Sequence, residues 1–201
     1  MGQVFKLAHI ALVLIIVRLD IKNIFVTGKH SLSFELSIIP NQMQPTLSNF
    51  INLDKKFLEL QINNNNAICI LPENIEDVQS LSEFVYTENA VTLRKLFKKN
   101  NVAIEMLDNT EVFRQRRSVD WYAPTLFISF SLLTENSTLI SVALNILSNY
   151  VTDFFKGTFG KKNVKFDIVV ETSPKKTYKK ISYEGGAEGL KNLEEIIKSL
   201  K

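Results

Sequence analysis

Apolar and polar residues alternate strictly over residues 31–38, with Leu32, Phe34, Leu36 and Ile38 on one side and Ser31, Ser33, Glu35 and Ser37 on the other. A period of two marks a half-buried strand, and with the apolar residues 21–26 and the turn at Gly28 it predicts a β-hairpin. Residues 57–62 and 67–71 are two further apolar runs flanking Asn63, Asn64, Asn65 and Asn66, a loop whose residues tolerate left-handed backbone. A second hairpin is expected there, joined to the first by an irregular link at Pro40 and Pro45.

From Glu73 the period changes. Ile75, Val78, Leu81, Phe84 and Val85 recur at helical spacing, with Glu73, Glu76 and Asp77 where the positive end of a helix favours them. Residues 91–97 predict a second helix that ends in Lys98, Lys99 and Asn100, and residues 102–107 a strand. The polar stretch 108–120 is the candidate domain boundary. Beyond it come a strand over 126–133 and a helix over 138–156 capped by Asn136 and Ser137. That helix should bury Leu139, Val142, Ala143, Ile146, Leu147, Tyr150 and Phe154. Strands over 164–170 and 178–183 follow, and Gly185 and Gly186 open a last helix with Leu190, Leu193, Ile196, Ile197 and Leu200 inward.

The expected class is α+β (mixed α/β). It has an apolar N-terminal segment (1–20), a lobe of two hairpins, two helices and a strand (21–110), and a β-α-β-β-α lobe with a mixed sheet (119–201). Residues 7–17 form an apolar run of eleven residues, too short to span a bilayer, which takes about 20. No small-x-small cleavage site follows it, so a buried element is expected rather than an export signal.

Composition removes more functions than it suggests. Hydrophobic residues make up 45% of the 201 and charged residues 22%, which excludes a disordered or low-complexity chain. A net charge of +3 is too small to announce nucleic acid or membrane. His9, His30 and Cys69 are the entire His and Cys inventory, too few for a four-ligand zinc site and poor material for a nucleophile–base pair. No cofactor and no metal are expected. A single cysteine in an apolar run allows no disulfide framework and suits a reducing, cytoplasmic compartment.

Three motifs fail on spacing. Gly157, Gly160 and Lys161 tempt a phosphate-loop reading, but Phe155 and Lys162 stand where that loop needs glycine and Ser/Thr, and a helix precedes the segment where a strand should. Asp167 and Glu171 lie on one strand face about 13 Å apart, too far for one metal, and Asp54, Lys55 and Lys56 lack the matching acid on a second strand. Asn136, Ser137 and Thr138 match a glycosylation acceptor that a helix cap explains equally well.

Two charged features remain. Eight lysines between Lys156 and Lys180 face only Asp167 and Glu171; among them Lys161, Lys162, Lys165, Lys175, Lys176, Lys179 and Lys180 form a candidate nucleic-acid-binding hairpin. Arg114, Arg116 and Arg117 precede Trp121, the only tryptophan, and Tyr122. Arginine, tryptophan and tyrosine are enriched at interface hot spots, so these five residues form a candidate partner-binding surface. The alternative for Trp121 is a place in the core. The Asn, Lys and Ile bias is that of an AT-rich bacterial genome. Small chains with so little catalytic material resemble in character the accessory or sensor subunits of operon-encoded systems, antiviral defence included. The expected function is therefore non-enzymatic protein–protein binding to a partner encoded nearby, with nucleic-acid binding as the alternative.

Overall fold

The computed structural model describes residues 45–63, 67–108, 112–118, 120–160, 162–172 and 177–201. The N-terminal apolar run, both histidines, the hairpin expected over 21–38 and Pro40 lie outside them. Among the described residues the strands and α-helices are, in chain order, β1 (Thr46–Asn49), α1 (Leu53–Glu59), β2 (Ile68–Leu71), β3 (Tyr86–Thr87), α2 (Ala90–Lys99), β4 (Ile104–Met106), β5 (Phe113–Arg114), β6 (Trp121–Tyr122), β7 (Thr125–Ile128), α3 (Phe130–Glu135), α4 (Ser137–Phe155), β8 (Val164–Thr172), β9 (Thr177–Gly185) and α5 (Leu193–Ser199). Helices and a mixed sheet together make the α+β class.

The main sheet runs β1-β9-β8-β7-β2-β4, with β6 also paired to β8. β8 pairs parallel with β7 and antiparallel with β9, as a βαβ unit followed by a hairpin requires. The helices inside that unit are α3 and α4. β2 lies between β4 and β7, so strands from either side of the expected 108–120 boundary hydrogen-bond to each other. Residues from both predicted lobes share one hydrophobic core. The polar stretch is not a linker in packing, because β5 inside it pairs with β3 to form a second, two-stranded sheet.

Several local expectations are corrected. Residues 57–62 are not a strand. The Asn52 side chain accepts a hydrogen bond from the Lys55 amide and caps α1, which buries Leu53 and Phe57, and the chain then turns at Gln61 with φ 57°. The helical period after Glu73 is realised as turns and a single 3₁₀ turn at Leu81–Glu83. There the Asn74 side chain donates to the Glu83 carbonyl and accepts from the Val85 amide, closing a loop that competes with helix. The strand expected over 126–133 stops at Ile128, where Ser129 caps α3. Asn136 makes no side-chain cap bond to α4.

α4 itself has the expected extent, but its buried face is Ile140, Ala143, Leu144, Leu147, Ser148 and Val151, while Val142 and Phe154 are exposed. The helix is apolar around most of its circumference, so the sheet chooses the face. Ser148 is tolerated inside because its hydroxyl donates to the Ala187 carbonyl. The C-terminal helix begins as a 3₁₀ segment over Ala187–Asn192 and becomes α-helical only at Leu193. α2, β8 and β9 follow the sequence reading closely.

Each face of the sheet has its own cover. α4 packs against the 3₁₀ segment, α5 and α2. α1 covers part of the opposite face, where Phe57 meets Phe127 edge-on at 5.9 Å and Phe127 meets Tyr178 at 6.1 Å. The Tyr178 hydroxyl accepts from the Asp54 amide at 3.2 Å, tying α1 to β9. Cys69 sits in β2 with 3% exposure, and burial first, then Glu105, pushes its thiol up to about 12. A chromogenic thiol reagent at pH 8 should therefore leave the folded protein unmodified and titrate one thiol once denaturant is added. Rapid labelling without denaturant would show that β2 opens readily.

Candidate functional site

Among the described residues, α1 covers only part of its side of the sheet. Beyond it, an open cleft of about 490 Å³ is lined by Thr46, Thr125, Asp167, Ser182, Glu184 and Lys165, with Glu73, Thr87, Arg114, Arg116 and Tyr122 also contributing. The pleat decides which side chains reach it. Lys165 and Asp167 alternate along β8 with buried Val164, Phe166 and Ile168, and Lys165 stands directly opposite Glu184 of β9.

The same alternation divides the aromatic pair. In β6, Trp121 is in register with Val164 and Tyr122 with Lys165, so the two rings point to opposite faces. Trp121 is 2% exposed and packs edge-on against Tyr150 of α4 at 5.8 Å. Trp121 belongs to the core, and a role as a surface anchor is incompatible with this placement. Tyr122 faces the cleft, half-buried, with the Arg116 guanidinium 4.5 Å and the Lys165 ammonium 5.5 Å from its ring centroid. β6 and β7 follow one edge of β8 with a break at Pro124, which has no amide hydrogen to donate.

The arginines converge on one carboxylate. Arg116 holds Glu73 in a fork, with Nη1 on Oε1 and Nη2 2.9 Å from Oε2, and Arg114 Nη1 lies 3.2 Å from Oε2. Arg117 is exposed and lies outside the cleft lining. Of the five residues singled out as a partner surface, Arg114, Arg116 and Tyr122 meet at the cleft, while Trp121 and Arg117 do not. Glu73, Lys165 and Thr87 complete it. Glu73 was legible in the sequence only as a first-turn helix acid, and its distance of 43 positions from Arg116 gave no local signal.

The lysine-rich hairpin is less cationic in space than in sequence. Lys165 pairs with Glu184 at 3.4 Å and Asp120 at 3.8 Å, and Glu184 is the main cause that raises its basicity above that of an ordinary lysine. Lys180 pairs with Asp167 at 3.6 Å, and Lys179 donates to Asn49. Lys162 lines a separate depression to which Glu188 also contributes. Lys161, Lys175 and Lys176 lie outside the described residues. Gly157, at φ 77°, follows the end of α4 as a left-handed helix stop.

Among the described residues no group of three or more His, Cys, Asp or Glu is placed to hold a metal. Asp167 is engaged by Lys180, and Glu171 accepts from the Phe130 amide at 3.0 Å. Nor does any helix among them have the length and apolarity to cross a membrane. Fold and cleft thus define a mixed α+β protein with a charged, hydroxyl-lined depression beside the part of its sheet that no helix among the described residues covers. Comparison with protein-family models, curated proteins and solved structures gives no match.

Proposed function

We propose that this protein is a non-enzymatic accessory subunit that binds another protein through the cleft rim formed by Arg114, Arg116 and Tyr122. The observation that carries this reading is the convergence of two guanidinium groups and an aromatic ring on one accessible depression. Arginine and tyrosine supply bidentate hydrogen bonding and rigid contact area, and both are enriched at interface hot spots. The partner is expected to be the product of a neighbouring gene, such as another component of a multi-subunit defence system. The single, deeply buried cysteine supports work in the reducing cytoplasm.

Arg114→Gln/Arg116→Gln, which removes both charges without setting new carboxylates against Glu73, should abolish co-purification with that gene product while the protein still folds cooperatively. Truncation or reversal of a hot-spot arginine costs about 2 kcal/mol or more, roughly thirtyfold in affinity. Undiminished co-purification of the folded double variant would overturn the assignment. Salt-sensitive retention of single-stranded oligonucleotides, lost on Lys179→Glu/Lys180→Glu but not on the arginine variant, would move the function to the lysine-rich hairpin.

A further inference from the structure

We propose that Arg114 and Arg116 form a receptor for a carboxylate carried by an acidic segment of the partner, and that Glu73 occupies this receptor in the free protein as an internal competitor. The inference rests on the protein-binding reading above and adds the partner's chemistry and a built-in regulator.

The geometry around Glu73 is that of an occupied anion site. Its carboxylate accepts the planar fork of Arg116 and lies beside Arg114, the arrangement in which guanidinium groups recognise an external carboxylate. The acid lies deeper than the bases: the Glu73 side chain is 12% exposed, against 53% for Arg114 and 31% for Arg116. Both cations can thus be approached from the cleft without unfolding the turn that carries Glu73. An incoming carboxylate replaces Glu73 one charge for one charge. Asp167 and Glu184, also on the lining, are held by Lys180 and Lys165, which leaves the arginine pair as the seat of the incoming carboxylate; a dianionic phosphate there would exceed the single charge that Glu73 gives up.

A second observation points independently to a ligand. Thr87 lines the same cleft, is 4% exposed, and its hydroxyl has no hydrogen-bond partner among the described residues. In the small sheet it stands in register with Arg114. A buried hydroxyl without a partner is costly, so this threonine, on the strand paired with the one that carries Arg114, is a donor whose cost an incoming carboxylate would relieve. The cleft, at about 490 Å³, accommodates a few side chains of an extended segment.

The test uses the full chain and a capped penta-glutamate peptide, titrated by calorimetry at low and at physiological salt, with penta-lysine and phosphoserine peptides as controls. Penta-glutamate should bind and penta-lysine should not. Glu73→Gln should tighten penta-glutamate binding roughly tenfold, because the internal charge competitor is gone. Arg116→Lys keeps the charge but loses the fork and should weaken binding by a similar factor. Thr87→Val should weaken it severalfold with thermal stability unchanged or raised, which a merely structural threonine would not do. Equal or weaker binding by Glu73→Gln, or preference for the phosphoserine peptide, would overturn the proposal. Failure of the two readings is distinguishable. If the arginine double variant loses its partner but Glu73→Gln gains nothing, this inference falls and the protein-binding reading stands. If Glu73→Gln gains peptide affinity but the partner ignores the arginines, the receptor stands and the protein-binding function falls.

Discussion

Trp121→Ala is expected to lower folding stability by about 3–5 kcal/mol, the range for removing a large aromatic side chain from a packed core. The indole is almost fully enclosed, contacts Tyr150 of α4 edge-on, and lies on the sheet face shared with Val164. Its backbone amide also donates to the Asn163 carbonyl, so ring and strand are fixed together. In a unit of this size such a loss lowers Tm by about 6–20 °C. Trp121→Phe should cost much less, because the indole N–H has no partner among the described residues and its removal breaks no hydrogen bond. Urea and thermal unfolding read both effects. Wild-type stability in Trp121→Ala, combined with lost partner binding, would restore the tryptophan to the surface and refute the core placement.

Phe127→Ala should be comparably damaging, about 3–5 kcal/mol, for a different reason. Phe127 is 1% exposed at the centre of the sheet and touches both Phe57 and Tyr178, so it is the ring on which α1 is seated. α1 is seven residues long and too short to persist without tertiary contacts. Losing the ring should therefore release α1 to proteolysis before the α4 side of the molecule opens. A double-mutant cycle of Phe127→Ala with Phe57→Ala should show coupling of about 0.5–1.5 kcal/mol. Strictly additive effects would mean that the two rings do not hold α1.

Elements made from local contacts were legible in advance. α2 has an amphipathic stripe and a cationic end, and β8 and β9 form a hairpin of matched alternation. Legibility failed wherever a distant partner decides. Residues 57–62 have the composition of a strand, yet an asparagine cap and the seat on Phe127 draw their first half into α1, and the rest turns at Gln61. The pattern after Glu73 has helical spacing, yet the Asn74 side chain satisfies the backbone that a helix would have used.

At the candidate site the division is sharper. The sequence by itself determined the α+β class, the βαβ-hairpin order of the C-terminal half and the prominence of Arg114, Arg116 and Tyr122, because periodicity and residue type are local properties. Only the tertiary structure decided that Trp121 and Tyr122 part company, since their faces depend on the pairing of β6 with β8 and not on their adjacency. It alone brought Glu73 to the arginines and matched Lys165 and Lys180 with acids on neighbouring strands. Charge along a chain can be counted from its sequence, but neutralisation depends on distances of a few ångströms between residues far apart in that sequence. Those distances exist only once the sheet has formed.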